Sequence, residues 1–395
     1  MENQGALAGI KVLDLGRVIA APYCTAILGD MGADVIKVET PGIGDDSRNY
    51  VPKYGYYALF NRSKRGMTLN LKSEKGREAF LKLVAQSDVV VENFRPGVMK
   101  KLGLDYESLK QVKPDLVYAA ISGFGQEGPY SQLAGYDPLI QAMTGLSAIT
   151  GHPGGEPVRC GASVCDMMAG LNAALGVVTA LYYRSQTGIG QMIDVALCDM
   201  GIMAAASVNQ NYLCDGVIPV PLGNGYAAGA PGNLYKAKDG YFMYAGANNG
   251  PWKILCEEWG HPELVDDPRF CNRAARAKNR DEVDRMFTEW ASERTVEECI
   301  AFLRSKKLAC GPLYNIEQVY NDPHMGVDGV RRIFEETEFP KGNKMTVTGQ
   351  NFLMSETQPR IRRNPPELGE NNAEILAELG YSADEIGAMY ADGAI

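Results

Sequence analysis

The most constraining feature of this chain is an alternation in its first third, where short apolar runs take turns with helical periodicities. Ile10–Leu15 is an apolar run ending at Gly16, and Ala20–Met31 follows with apolar residues at helical spacing and Gly32 as a stop. Asp34–Glu39 (DVIKVE) alternates as a strand does, and Glu74–Ala85 sets Phe80, Leu83 and Val84 on one helical face. Asp88–Val91 and Leu116–Ile121 are β-branched runs of the kind buried in a parallel sheet. Strand, helix, strand at this spacing predicts βαβ units and an α/β layer.

Thr40–Lys64 breaks the pattern. It is rich in Gly, Pro, Tyr and Asn, has no periodicity, and is long enough to predict a functional loop. After Gly190, Gln191–Leu197 reads as a strand and is followed by a helix to about Leu213. Val217–Pro231 is Gly- and Pro-rich, as a linker is. Gly240–Ala245 opens a second unit with helical signals at 251–260, 281–292 and 295–305, and Glu370–Ala391 carries two short helix patterns.

A length of 395 residues predicts two to three domains, at roughly 100–200 residues each. Apolar residues make up 45% and charged residues 22%, which excludes a disordered chain, a fibre and a disulfide-rich miniprotein. Lys and Arg number 39 against 48 Asp and Glu, a net charge of −9 that argues against a general nucleic-acid binder. It leaves room for an anionic ligand held by a few local cations. The nine cysteines are scattered without a C-x-x-C, so reduced intracellular thiols are expected. The N-terminal residues show no signal-peptide pattern. Met167–Tyr183 is the longest apolar stretch, but at ~17 residues, broken by Asn172, it reads as a buried helix rather than a membrane span.

G-x-G-x-x-G occurs as Gly123–Gly128, directly after the run Leu116–Ile121. A dinucleotide site needs a helix opening at the third glycine. Pro129-Tyr-Ser-Gln follows instead, so a Gly-rich turn is the favoured reading. Gly223-x-Gly225 is weaker still. The three histidines, His152, His261 and His324, are far apart and lack Cys or His at ligand spacing, so no metal site is expected. G-x-S-x-G and the P-loop pattern are absent.

Two segments carry candidate chemistry. Asn93-Phe-Arg95-Pro-Gly-Val-Met-Lys100-Lys101 sits at the C-terminal end of a predicted strand, where open α/β sheets bind ligands. Arg95 offers a planar fork for phosphate; a solvated loop with surface lysines accounts for the same residues. Asp166 opens the apolar helix after a Gly-rich stretch. A carboxylate there is naturally an N-cap. It is also placed to be a nucleophile at the edge of a dry pocket, kept ionised by the helix N-terminus.

Taken in order, the chain resembles the class III CoA-transferases, the family of formyl-CoA transferase and carnitine CoA-transferase. The resemblance starts at Leu7–Asp14 and Ala20-Ala-Pro22 and continues through Gly32–Glu39, Asn61–Arg65, Leu69–Lys72 and Val91–Phe94. Ser122–Gly125, Gly135-Tyr-Asp137 with Gln141, and Gly161 followed by Asp166 come next. Ala309–Pro312 and Leu368-Gly-Glu370 complete it. No single piece is diagnostic; the ordered series is highly specific.

The resemblance implies an α/β fold, with a Rossmann-like large domain, a smaller second α/β domain and an interlocked homodimer. It gives boundaries of 1–215 for the large domain, 216–325 for linker and small domain, and 326–395 for a C-terminal segment returning to the large domain. It implies a CoA-transferase that moves CoA from an acyl-CoA donor to a small carboxylic acid, with Asp166 as the nucleophile. CoA contacts are implied at Ile19, Ala20, Leu69, Asn70, Leu71, Lys72, Asn93, Phe94, Arg95, Lys101, Ala134, Gly135, Tyr136 and Asp137. No tightly bound cofactor, nucleic acid or membrane is expected, CoA and acyl-CoA being substrates, and the enzyme is expected in the cytoplasm. Thr40 stands where formyl-CoA transferase has an arginine. The second unit lacks that enzyme's Gly-Gly run, which places this chain nearer the carnitine-type members.

An α-methylacyl-CoA racemase of the same fold is the alternative. A racemase needs two acid/base groups astride the α-carbon, and its family histidine is replaced here by Tyr136. The acid is open: carnitine or crotonobetaine, a 2-hydroxy acid, a dicarboxylate or oxalate. Tyr54, Tyr56, Tyr57, Trp252 and Trp259 are candidates for a pocket wall, and ordinary core and loop aromatics are the competing reading.

Overall fold

The computed structural model describes residues 5–349 and 352–395. The expected strand and helix alternation is present. In chain order it runs β1 (Lys11–Asp14), α1 (Ala20–Asp30), β2 (Asp34–Glu39), α2 (Gly55–Asn61), β3 (Lys64–Thr68), α3 (Glu74–Ala85) and β4 (Val89–Glu92). Then come α4 (Val98–Leu102), α5 (Tyr106–Leu109), β5 (Val117–Ser122), α6 (Asp137–Met143), α7 (Leu146–Ile149), α8 (Val164–Thr187), β6 (Met192–Ala196), α9 (Leu197–Ala204) and α10 (Ala206–Asp215).

The six strands form one parallel sheet in the order β3-β2-β1-β4-β5-β6. Alternate side chains serve opposite layers, as the period of two requires. Val12, Val35, Val89, Val91, Val117 and Ala119 join the core beneath α1 and α8. Leu13, Ile36, Val38, Val90, Tyr118 and Ala120 join the other core, with α3. Strand order reverses between β1 and β4, and ligands of open α/β sheets bind outside the carboxyl ends at such a point.

Two readings of the sequence need correction. Thr40–Lys64 is not a loop throughout: it holds a short 3-10 helix, Asp46–Asn49, and α2, and leads straight into β3. The edge strand Lys-Arg-Gly-Met-Thr was illegible because its buried cations are paired only by distant residues. α8 is longer than the apolar stretch and only one face is buried. Its small residues Ala169, Gly170, Ala173 and Ala174 pack inward, and a Cβ on Gly170 would stand 2.6 Å from the Ala20 carbonyl oxygen. Leu171, Leu175, Tyr182 and Tyr183 face outward, exposed. α8 is long and apolar enough to cross a membrane by length and composition alone.

The chain divides into two compact units. The larger holds residues up to Leu146, Arg159–Ser207 and Tyr320–Ile395; the smaller holds Ser147–Val158 and Val208–Val319. The division falls at Ser207 rather than 215. It also assigns 147–158 to the smaller unit, where Gly223 N–H donates to the Gly151 carbonyl at 2.8 Å. The smaller unit has an antiparallel sheet of β7 (Gly232–Lys236), β8 (Tyr241–Ala245) and β9 (Cys310–Pro312). It is packed by α11 (Asn249–Glu258), α12 (Arg273–Lys278), α13 (Arg280–Ser292) and α14 (Val296–Ser305).

After α15 (Ile316–Tyr320), the hairpin β10 (Phe334–Glu338) and β11 (Lys344–Thr348) belongs to the larger unit, as do α16 (Asn372–Glu378) and α17 (Ala383–Ala391). Asn371 and Asn372 accept the N–H groups of Gly66 and Thr68, satisfying the outer edge of β3, while Ile375 and Leu376 enter the α3-side core.

Candidate active site

A cavity of about 340 Å³ lies at the carboxyl ends of β1, β4 and β5, at the reversal of strand order. Its walls come from the β1–α1 turn (Arg17 to Ala20), the β4–α4 turn (Asn93 to Pro96), the end of β5, the stretch Leu133 to Tyr136, and Asp166. Close backbone contact shapes one side: a Cβ on Gly123 would stand 2.4 Å from the Cα of Gly135. The Gly123–Gly128 stretch is irregular, no helix opens at its third glycine, and the next helix begins only at Asp137.

Asp166 is not the N-cap of α8. Ser163 holds that position, and Asp166 lies in the first turn. Capping is done from a distance by Asp137, whose Oδ2 accepts Cys165 N–H at 2.7 Å and Asp166 N–H at 3.2 Å. Its Oδ1 accepts Gln141 Nε2 at 2.5 Å, and Gln141 in turn donates to the Ala162 carbonyl and accepts Cys160 N–H. The segment leading into α8 is thereby fixed to α6.

The Asp166 carboxylate itself accepts no hydrogen bond among the described residues. It is half-buried in the cavity wall. Burial first, and the Asp137 charge second, push its pKa up to about 7. The positive end of α8 acts in the opposite direction, favouring the anion. Tyr56 stands close enough that burial and the Asp166 charge push its phenol up to about 12.

Of the implied contacts, Ile19, Ala20, Asn93, Phe94, Arg95, Ala134, Gly135 and Tyr136 line the cavity. The exposed Arg95 guanidinium has no carboxylate partner among the described residues, whereas Arg17 is paired with Asp46 at 2.9 Å. Asn93 lines the wall, but its amide is already occupied: it accepts Arg17 N–H and donates to the Arg17 carbonyl, each at 2.8 Å. Asp137 lies behind the wall, buried, with its carboxylate occupied as described.

Leu69, Asn70, Leu71, Lys72 and Lys101 are outside the cavity. β3 is the edge strand, two strands from β1, so its end is roughly 10 Å from the crevice. Leu69 is in the core, Asn70 accepts Lys72 N–H in a turn, and Lys72 is exposed. Lys101 is exposed in the last turn of α4.

Tyr56 alone of the five candidate aromatics is near Asp166. Tyr57 is buried against Arg48, Tyr54 packs on Phe339, and Trp252 and Trp259 belong to the core of the smaller unit. Sequence reasoning missed Arg17, Asp46, Ser122, Leu133 and Leu197 in the cavity lining. Arg17 was recoverable, since it lies two positions before Ile19, which was already singled out.

Residues 7–372 match the sequence model of CoA-transferase family III. The chain is 36% identical to the succinate–glutarate CoA-transferase of Agrobacterium fabrum, covering 94% of this chain and 95% of that protein. It is 35% identical to the acetyl-CoA:oxalate CoA-transferase of Acetobacter aceti, covering 95% and 96%. A crystal structure of a CAIB/BAIF family protein from Brucella suis superposes with a TM-score of 0.84 at 36% identity, over 95% of this chain and all of that one.

Proposed function

This chain belongs to CoA-transferase family III and is a CoA-transferase, and from that premise we propose that Asp166 is its nucleophile and small dicarboxylic acids are its acceptors. One observation carries the first part: a carboxylate in the cavity wall with its backbone held by Asp137 and its own oxygens unbonded among the described residues. The names of the similar enzymes, which concern succinate, glutarate and oxalate, support the second.

In the proposed reaction an Asp166 oxygen attacks the thioester carbonyl carbon of the donor. The C–S bond breaks, leaving a mixed anhydride and CoA thiolate. The thiolate attacks the Asp166 carbonyl, releasing the donor acid and forming an aspartyl-CoA thioester. The acceptor carboxylate attacks that thioester, breaking its C–S bond to give a second mixed anhydride and CoA thiolate, and the thiolate then attacks the acceptor acyl carbon of this anhydride. Asp166 is regenerated as a carboxylate. Splitting one hard transfer into such steps is what a covalent nucleophile contributes. Arg95 meets a CoA phosphate. The racemase alternative is disfavoured because no histidine lines the cavity and Tyr136 occupies the position of the racemase base.

The exposed apolar faces of α8 and α9, with Leu171, Leu175, Tyr182, Ile202 and Met203, support a homodimer. The nine free cysteines support a reducing cytoplasmic setting. The test of the reaction is trapping. With succinyl-CoA and hydroxylamine, an activated Asp166 becomes a hydroxamate, about 15 Da heavier, as covalent catalysis requires. Asp166→Asn abolishes both the adduct and transfer; an adduct on Asp137, or an active Asp166→Asn, refutes the assignment.

A further inference from the structure

The β1–α1 turn that forms one cavity wall has an improbable backbone. Val18 sits at φ 66° and Ile19 at φ −122°, ψ −69°. A β-branched residue pays a steric cost in the left-handed region and stays there only if its surroundings dictate it. Here they do. Asp14 accepts Gly16 N–H at 2.7 Å, and Lys37 Nζ donates to the Gly16 carbonyl at 2.7 Å. Asn93 holds both the N–H and the carbonyl of Arg17. Asp45 accepts Val18 N–H at 3.1 Å.

The side chains that do this are themselves tied together in the interior. Lys37 bridges to Asp45 at 2.9 Å, with both side chains wholly shielded from solvent. Lys64 closes the cluster on Asp14 at 2.8 Å. Asp45 is also anchored by Ser47 N–H and Oγ, at 2.9 and 2.8 Å. The next residue, Asp46, faces the cavity and pairs with the Arg17 side chain. Buried ion clusters are poor sources of net stability against apolar replacements. Holding a strained turn in one conformation is a role that apolar packing could not fill, because it needs directed acceptors at the Gly16 and Val18 amides.

We propose that Asp45 is a positioning residue for substrate binding: through Lys37 and the Val18 amide it locks the β1–α1 turn into the shape that receives acyl-CoA. This rests on the reading of the cavity as the acyl-CoA site. Preorganisation of this kind appears in affinity, because the turn is ordered before the ligand arrives.

The test is calorimetric titration of the full-length protein with free CoA, beside its thermal unfolding midpoint. Asp45→Ala is expected to weaken CoA binding roughly tenfold or more. Val18→Gly added to it is expected to recover part of that loss, since glycine reaches positive φ without a steric cost. Arg62→Met, which breaks a buried pair with Asp30 away from the turn, is expected to lower the unfolding midpoint and leave CoA affinity unchanged. Should Asp45→Ala not fold, Asp45→Asn keeps an acceptor for Val18 but loses the charge for Lys37, and a several-fold weaker affinity is expected. Wild-type affinity in the Asp45 variant, an Arg62→Met loss as large as that of Asp45→Ala, or no gain from Val18→Gly overturns the proposal. Failure of the unmutated protein to bind CoA overturns instead the functional reading beneath it.

Discussion

Asp137 caps the helix that carries Asp166, its Oδ2 accepting the N–H groups of Cys165 and Asp166 at 2.7 and 3.2 Å. The same carboxylate raises the proton affinity of Asp166, second only to burial. One buried side chain thus fixes where the proposed nucleophile stands and influences when it ionises.

Asp137→Ala leaves both amides without their acceptor and is expected to cost about 1–2 kcal/mol, as other lost caps do. Asp137→Asn keeps an oxygen for the two amides and loses the charge together with the acceptor for Gln141 Nε2. It should retain most of the stability and move the acid limb of kcat/KM to lower pH, because the neighbouring anion is gone. A pH–rate profile beside thermal unfolding separates the two effects, and an unmoved limb would contradict the electrostatic part.

The pH dependence of stability follows from Asp166 itself. Its folded pKa, about 7, is above the ordinary carboxylate value, so the folded state retains a proton that the unfolded state has lost. That contribution is full below about pH 4 and disappears as pH rises through about 7. Asp166→Asn is neutral throughout. Its stability relative to wild type is expected to rise between pH 5 and 7 and level off above, measured by urea unfolding at several pH values. A difference independent of pH would show that Asp166 titrates normally.

Arg95→Ala is expected to raise the acyl-CoA Michaelis constant about tenfold or more, the loss of a charge-assisted contact of roughly 1.5–3 kcal/mol, with a smaller effect on turnover. An unchanged constant would return Arg95 to a solvated loop.

Gly123→Ala tests the backbone contact in the cavity wall. The added methyl meets the Gly135 backbone rather than a movable side chain, so about 1–3 kcal/mol of destabilisation is expected. A weaker apparent affinity for CoA should accompany it. Wild-type melting and binding would show that the two segments part without consequence.

The alternation of DVIKVE with helical stretches already announced a parallel α/β sheet, since hydrophobic period is a local property of a strand or helix. Asp166 was picked out differently, by its place in an ordered motif series that resembles a known family. β3 was not, because Lys64 and Arg65 read as surface residues until Asp14 and Asp34 are brought to them across the sheet. Nor was the cap on α8: the sequence offers Asp166 beside the helix start, and the structure supplies Asp137 from another helix. Asn93 shows the same limit, its amide spent on the Arg17 backbone. Sequence by itself determined where β1, α1, β2, α3, β4, β5 and β6 run, and its ordered motifs pointed to the candidate nucleophile. Tertiary structure alone decided which partner each buried charge and each free amide meets, because hydrogen bonds and ion pairs depend on distances between residues far apart in the chain.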